Sequence, residues 1–300
     1  MTVKLHAKLF CAWDRQIARS RPYWREDCDR GFAYNRDAPS IAYDPSSIPE
    51  APLGPFVHLK YSPPAEANYL AVTRDVIDTG LDKGNLQHEF GNELIAHPFR
   101  KDLILIPNRW PRVSYHSLIV TRNLFPQTLT RSLAKAELFW ANMGFVVEFH
   151  RFDRILNHFH FHIYPGSISP IYRARDSFEV RSAHANFETG TLVDYPAPHI
   201  AFRARDPNWM AMAIEKISTQ IDALRTPYGQ ITMEASNRSI VLLIFLRAPY
   251  RIEGVSFSLI GLVRTSDEFS VDAALEFTKN IHWGQAEMDV LRAQLIDKIG

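Results

Sequence analysis

The sequence contains little of what several classes of protein require. Only two of its 300 residues are cysteines, Cys11 and Cys28, so neither a disulfide framework nor a four-cysteine zinc site can form within the chain. The longest apolar run, Ile240–Leu246, is far shorter than the roughly 20 residues that span a bilayer. The first residues contain no apolar run of signal-peptide length. These absences favour a soluble protein of a reducing compartment and predict a cytoplasmic location without a membrane partner.

Neither the net charge nor the pattern of glycines indicates a nucleic-acid partner or a glycine-rich phosphate-binding loop. The 34 basic and 33 acidic residues leave a net charge of +1, so nothing in the balance requires a nucleic acid. No glycine-rich phosphate loop of either common type occurs among the 13 glycines. The hydrophobic content of 46% is ordinary for a globular protein, and the length suffices for one large domain or two moderate ones.

The first 55 residues differ in composition from the rest of the chain. Arginines alternate with aromatic residues, and prolines crowd between residues 38 and 55. We predict a helix near residues 9–19, followed by an extended arm that packs on the body of the protein. Nucleic-acid contact is the alternative interpretation of the arginines, and a solvated arm with its arginine stems on apolar surface is favoured over it.

The remaining chain alternates strands and helices in an order typical of an antiparallel α+β sheet. Strands are predicted at residues 93–99, 103–107, 115–121, 145–149, 239–247 and 255–263. Helices are predicted at residues 128–143, 209–224, 271–280 and 285–299.

Three histidines stand in strict alternation with bulky apolar residues in the segment NHFHFHIYPG, residues 157–166. This alternation is typical of a strand, and successive side chains of a strand point to opposite faces. His158, His160 and His162 therefore share one face, with neighbours about 6–7 Å apart. Phe159, Phe161 and Ile163 share the other face.

Three interpretations of this histidine row remain open from the residues alone. A neutral imidazole is a good nucleophile toward phosphorus, and flanking imidazoles can hydrogen-bond the phosphate oxygens. Two histidines two residues apart can also bind zinc, although no carboxylate or cysteine joins them locally. The third interpretation is a purely structural row.

The row resembles the triad of the histidine-triad superfamily, which includes galactose-1-phosphate uridylyltransferases and dinucleotide polyphosphate phosphorylases. Within it the chain most resembles the GDP-hexose phosphorylases, over about residues 56–300. The matches are short and scattered: His58-Leu59-Lys60 with Pro63, Asn108 and Pro111, His116–Val120, Phe125-Pro126-Gln127, Asn157–His160, Asp194–Phe202, Val241–Arg247 and Gly254–Gly261.

The resemblance implies an α+β fold of two histidine-triad-like halves, each an antiparallel sheet with helices. Residues 1–55 would form the arm, 56–195 the catalytic half, and 196–300 a second half that lacks the triad. It further implies that His160 attacks the α-phosphorus and forms a nucleotidyl-histidine, that His158 orients His160, and that His162 contacts the phosphate and assists the leaving group.

The resemblance also implies the substrate and its contacts. We expect an enzyme that cleaves a nucleoside diphosphate sugar, such as a GDP-hexose, or a related dinucleotide, with inorganic phosphate as acceptor and without a metal or cofactor. The expected substrate-binding residues are Asn157, Asn108, Pro111, His116, Gln127 and Arg247. The alternatives are a nucleotide hydrolase that uses water, a metal-dependent hydrolase, and a non-catalytic nucleotide-binding protein. A homodimer is compatible with the resemblance.

The chain departs from the family's pattern around the triad. Bulky and basic residues, 149–154, stand where the family has small residues before the triad asparagine. Tyr115 replaces the glycine expected before His116, and Ala248 replaces a basic residue. The nucleotidyl-transfer chemistry is therefore a firmer expectation than the identity of the base or the sugar.

Overall fold

The computed structural model describes residues 2–23, 25–27, 32–34, 45–46, 50–52, 58–61, 95–96, 100–108, 111–121, 126–151, 159–247, 255–265, 271–280 and 282–300. Within them lie five α-helices, α1–α5: Thr2–Ser20, Arg131–Ala141, Pro207–Ala223, Val271–Asn280 and Gln285–Ile299. The described strands, β1–β16 in chain order, are Arg25–Asp27, Phe32–Tyr34, Glu50–Pro52, His58–Tyr61, Ile95–Ala96, Leu103–Pro107, Ser117–Thr121, Phe145–Arg151, His160–Pro165, Phe178–Ala183, Glu188–Leu192, Ile200–Ala204, Tyr228–Glu234, Ile240–Leu246, Val255–Ser258 and Leu262–Thr265.

Local sequence determines where the two central helices begin. The Thr130 hydroxyl accepts a hydrogen bond from the Leu133 N–H at the start of α2. The Asp206 carboxylate accepts one from the Asn208 N–H at the start of α3, and Pro207 occupies the first turn. Such caps satisfy backbone donors that a helix cannot pair internally.

A ten-stranded sheet forms the centre of the protein, in the order β10-β11-β12-β14-β13-β8-β9-β7-β6-β5. It consists of two five-stranded units with the same internal order. In each unit three strands precede a helix, and the hairpin after that helix returns its last strand beside the third strand. The fourth strands, β8 and β13, pair antiparallel and join the units. Strand order alone does not set domain boundaries, so the division predicted at residues 55 and 195 stays a prediction.

The two faces of this sheet bury different side chains. Phe159, Phe161 and Ile163 point into the main core, which also contains side chains of α1, α2, α3 and α5. The predicted alternation along the histidine strand is therefore confirmed for these residues. On the opposite face, a second apolar cluster surrounds Tyr164 of β9 and includes side chains of the 3-10 segment Pro170–Asp176. The antiparallel α+β class is confirmed as well.

The predictions for the C-terminal part need correction. The apolar run at 255–263 is two strands, β15 and β16, separated by a turn in which Gly261 has a φ of +92°. Only glycine adopts such a φ without steric cost, so a single strand through this position was wrong. Four further strands, β10–β13, were not predicted. The residues Asn157, His158 and Ala248, for which predictions were made, and part of the arm lie outside the described residues.

In the part of the chain that the structure describes, none of the helices combines the length and the apolar character needed to cross a membrane.

Candidate active site

The candidate site lies on the face of β9 that is opposite the main core. His160, His162 and Tyr164 alternate along this strand, and the rings of the two histidines have centroids 5.3 Å apart at 72°. His160 is 6% exposed, and His162 is partly buried. The two histidines are therefore close enough to act on one phosphoryl group.

Gln127 determines the position of the His160 backbone. The β8–β9 ladder ends at the pair Glu148 and His162, and the buried Gln127 carboxamide lies between the two strands beyond that point. Its Nε2 donates to the carbonyls of His150 and His160 at 3.0 and 2.8 Å, and its Oε1 accepts from the His160 N–H at 2.8 Å. One side chain thus replaces the missing ladder bonds at the position of the candidate nucleophile.

A chain of hydrogen bonds determines the tautomers of His116 and His162. The Arg112 backbone N–H donates to Nδ1 of the fully buried His116 at 3.1 Å. A neutral imidazole with Nδ1 as acceptor carries its proton on Nε2. This Nε2 lies 2.8 Å from Nδ1 of His162 and donates to it. His162 then carries its own proton on Nε2, which is the nitrogen left to act as a donor.

Asn108 completes this chain at the end of β6. Its Nδ2 lies 3.1 Å from the same His116 Nε2. Because a protonated Nε2 requires an acceptor, a half-turn of the amide that brings the oxygen to this place gives the consistent network.

Electrostatics keep both imidazoles neutral near pH 7. Burial, followed by the charge of Arg112, lowers the pKa of His116 well below its usual 6.5. Burial, followed by His116 and Arg112, does the same to the pKa of His162. His162 is therefore a neutral hydrogen-bond donor rather than an imidazolium acid.

The turn before His116 has a strained residue in the place where the resemblance predicts glycine. Tyr115 has a φ of +60°, a left-handed conformation that costs a residue with a Cβ about 1–2 kcal/mol. Its ring packs against Phe10 and Trp13 of α1, with centroids 4.4 and 6.0 Å away. The described N-terminal helix thus supports the turn that positions His116.

Glu148 is a fully buried carboxylate next to His162 in the β8–β9 register. Its Oε2 accepts hydrogen bonds from Arg112 Nη1, at 2.7 Å, and from the Tyr164 hydroxyl. Its Oε1 accepts one from the Leu259 N–H at 3.1 Å. Burial alone would raise the pKa of Glu148, but Arg112 and His150 outweigh it and hold that pKa well below 4.5. The carboxylate is therefore ionised and satisfied.

His150 and Arg247 lie on the same face, on the side of the second unit. His150 is 3% exposed, with Nε2 3.0 Å from Glu148 Oε1 and Nδ1 3.3 Å from Arg247 Nη2. Gly229 pairs with His150 in the ladder. A Cβ on Gly229 would come within 2.3 Å of Leu259 Cδ1 and 3.1 Å of His150 Nδ1, so a larger residue here would have to displace the Leu259 side chain.

In the second unit β14 presents no histidines, although the buried His199 precedes β12 as the buried His116 precedes β7. The directly paired residues His162, Glu148, Ile231 and Leu243 run across the sheet on one face. β14 therefore has Leu243, with Val241 and Phe245 on either side, where β9 has its histidines, and all three are fully buried.

Most predicted site residues that the structure describes converge here. His160, His162, His116, Asn108 and Gln127 form one connected network, and Arg247 joins it through His150. Pro111 is buried at the start of the turn that contains Arg112. Asn157 and His158 lie outside the described residues, and the predicted substrate contacts stay predictions.

Four residues of the network were missed by the sequence analysis: Arg112, Glu148, His150 and Tyr164. Glu148 and His150 alternate with apolar residues in β8, which is the same signal that identified the histidine strand. The sequence pattern could therefore have found Glu148 and His150. It could not have shown that Arg112 binds Glu148, because the two residues are 36 positions apart in the chain.

No group of three or more histidine, cysteine, aspartate or glutamate side chains among the described residues is arranged to hold a metal ion.

Comparison with known proteins identifies the fold. A structure of yeast Ap4A phosphorylase Apa2 in complex with AMP is 14% identical, covers 98% of this chain and 96% of that chain, and has a TM-score of 0.53. The same phosphorylase in complex with Ap4A is 13% identical over 84% of this chain and 88% of that chain, with a TM-score of 0.50. The chain thus has a fold similar to that of this Ap4A phosphorylase.

Other comparisons add nothing to this conclusion. A uridylyltransferase structure, 12% identical, covers 65% of this chain and 85% of that chain with a TM-score of 0.38, too low to define the fold. No protein-family model matches the sequence, and no curated protein matches it.

Proposed function

We propose that the protein is a nucleotidyltransferase that cleaves a phosphoric anhydride bond of a nucleotide through a nucleotidyl-His160 intermediate. The observation that carries this proposal is the arrangement of His160 beside a neutral His162 whose outward nitrogen is a donor. In-line displacement at phosphorus requires a nucleophile and a directed hydrogen-bond donor that can reach the same phosphoryl group.

The reaction has two balanced steps. A ring nitrogen of His160 attacks the α-phosphorus with its lone pair, and the bond from that phosphorus to the bridging oxygen breaks, with its electron pair leaving on that oxygen. An oxygen of inorganic phosphate then attacks the same phosphorus, and the P–N bond breaks to restore His160 and release a nucleoside diphosphate. His162 donates a hydrogen bond to the oxygen on which negative charge develops.

The neutrality of His162 favours a phosphate leaving group. An alkoxide or an amine would need a full proton from an imidazolium acid, whereas a phosphate leaves as a stable anion and needs only a hydrogen bond. This chemistry fits both a nucleoside diphosphate sugar, which would release a sugar phosphate, and a dinucleotide polyphosphate, which would release a nucleotide.

The surrounding residues take supporting roles in this proposal. Gln127 acts on the substrate through the backbone of His160, and Asn108 and His116 act through His162. Arg247 is the candidate to contact a substrate phosphate, together with Asn157 and His158 of the triad segment.

The similarity of fold to the yeast phosphorylase supports the substrate class. That protein is described in complexes with Ap4A and AMP, so Ap4A belongs in the substrate panel beside GDP-glucose and GDP-galactose. Of the departing residues, His150 lies on β8 across from His160, and the Gln127 carboxamide bonds the carbonyls of both. This altered surrounding makes the dinucleotide as strong a candidate as the GDP-hexose.

The proposal is tested by intact-mass spectrometry after mixing the protein with each substrate without phosphate. We expect a mass increase of one nucleotidyl group on the substrate that is used, and its loss in His160→Gln. Exposed Glu276→Gln is the control and should retain the adduct. The absence of an adduct and of turnover across the whole panel would refute the proposal.

The acceptor is tested on the same adduct. With phosphate present, we expect the labelled protein to release a nucleoside diphosphate. Because a histidine at the third triad position also occurs with hydrolytic chemistry in the superfamily, water is the competing acceptor. Release of a nucleoside monophosphate at the same rate with and without phosphate would make the protein a hydrolase.

A further inference from the structure

We propose that Arg112 and Glu148 are positioning residues, which select the tautomers of His116 and His162 without touching the substrate. The hydrogen-bond part of this inference concerns the protein alone. Its catalytic consequence rests on the proposed function.

Arg112 links the buried carboxylate to the histidines through two different parts of the same residue. Its side chain donates from Nη1 to Glu148 Oε2 at 2.7 Å and to the Tyr164 hydroxyl oxygen at 2.9 Å. Its backbone N–H donates to His116 Nδ1 at 3.1 Å. The side-chain anchor therefore sets where the backbone donor points.

Glu148 provides a rigid anchor. It is fully buried on the central strand β8, and its Oε1 is held by the Leu259 N–H at 3.1 Å. The Leu259 carbonyl in turn accepts a hydrogen bond from the Tyr195 hydroxyl at 3.0 Å. Because these hydrogen bonds hold the Glu148 carboxylate in place, the carboxylate in turn holds the Arg112 guanidinium in one position.

The turn that Arg112 holds is short and closed by its own backbone bonds. The Asn108 N–H donates to the His116 carbonyl at 2.9 Å, and the His116 N–H donates to the Val113 carbonyl at 3.2 Å. Between these bonds, the Arg112 side chain connects the turn to β8. Loss of this connection would release the N–H that faces His116.

The two tautomers of His116 have opposite effects on His162. With the Arg112 N–H on Nδ1, His116 donates from Nε2, and His162 presents an N–H outward. Without it, His116 can protonate Nδ1 and accept at Nε2, so that His162 must donate from Nδ1 and present a lone pair outward. A lone pair aimed at a phosphate oxygen repels it, so the selection of the tautomer decides whether His162 assists the reaction.

The test measures the tautomers directly, by long-range ¹H–¹⁵N NMR of the imidazoles in the ligand-free protein. Signals are assigned with His116→Gln and His162→Gln. We expect both rings of the wild-type protein to be protonated on Nε2. In Arg112→Met and in Glu148→Gln both rings should shift together toward the Nδ1 form, and Arg112→Lys, which keeps the charge beside Glu148, should restore part of the wild-type signal.

Two further variants make the result unambiguous. Removal of one partner leaves a buried charge and can unfold the protein, so the double variant Arg112→Met/Glu148→Gln removes both charges together. Arg203→Met breaks an ion pair in which Arg203 Nε on β12 lies 2.6 Å from Glu188 Oε2 on β11. These strands are three and four positions from β8 in the sheet, so this variant should leave both tautomers unchanged. Unchanged tautomers in a folded double variant would overturn the proposal.

The kinetic readout separates this inference from the proposed function. On a substrate that forms the adduct, loss of the His162 donor should lower kcat about 100-fold with little change in KM, and Arg203→Met should not. Shifted tautomers in a protein that forms no adduct would refute the proposed function alone. Unchanged kcat despite shifted tautomers would refute the catalytic role of the pair.

Discussion

The buried carboxyl group of Glu137 should make the stability of the protein fall as the pH rises. Glu137 lies on the inner face of α2 and is fully buried. Gln230 Nε2 donates to both its oxygens at 2.9 Å, and the Thr232 hydroxyl donates to Oε1. Burial raises the pKa of Glu137 to about 7, although these hydrogen bonds oppose the rise.

The magnitude follows from the difference between the two states. An unfolded glutamate titrates near 4.5, so the unfolded chain ionises between pH 4.5 and 7 while native Glu137 stays protonated. The stabilising contribution of protonated Glu137 is fully present below pH 4.5 and is lost as the pH rises to about 7. The loss for a shift of about 2.5 pKa units is about 3 kcal/mol.

The perturbation is Glu137→Gln, which keeps the shape and removes the ionisation. Gln230 Oε1 has no hydrogen-bond partner among the described residues, so a half-turn of the Gln230 amide can bring this oxygen to face the new NH2 group. We expect urea denaturation to show that the variant gains about 3 kcal/mol relative to the wild type between pH 4.5 and pH 8. Other buried groups titrate in both proteins and cancel in the difference.

The matched control is Glu276→Gln, which neutralises an exposed glutamate on α4. Its stability relative to the wild type should change little over the same pH range. The reasoning about Glu137 fails if its variant shows a pH-independent difference from the wild type.

Two further predictions concern residues that hold the site. Tyr115→Gly should be about 1 kcal/mol more stable than Tyr115→Ala by urea denaturation, because both lose the ring but only glycine relieves the left-handed strain. The reverse order would show that this φ is not strained. Gln127→Leu leaves the His160 N–H and two carbonyls without partners at about 1–3 kcal/mol each, so its denaturation midpoint should fall and its adduct yield on intact mass should drop. A Gln127→Leu protein with wild-type stability would contradict the role of this carboxamide.

Patterns with a strict period were the most predictable part of the fold. The alternation around His160 predicted which side chains enter the core, and the structure buries Phe159 and Phe161 as expected. The helices α4 and α5 also have the predicted bounds. Periodicity predicts these elements because each helix or strand has one buried face and one exposed or functional face, and this pattern can be read from its own residues.

The unpredicted features depend on contacts between distant parts of the chain. β13 was missed because Tyr228–Glu234 contains Gly229, a poor strand former in isolation, followed by the polar Gln230. Their presence is explained by partners far away in sequence: Gly229 makes room for Leu259, and Gln230 binds Glu137. The Arg112–Glu148 pair is likewise visible only after the sheet is assembled.

The difference between the two halves of the ten-stranded sheet predicts how many nucleotidyl groups one chain can carry. β14 repeats the place of β9 but presents Val241, Leu243 and Phe245, which contain neither a nucleophile nor a titratable group. The described part of each chain thus has one imidazole row, which contains the proposed nucleophile, and one apolar counterpart of it. Labelling should saturate at one nucleotidyl group per chain, and an assembly of several chains should show as many equivalents as it has subunits.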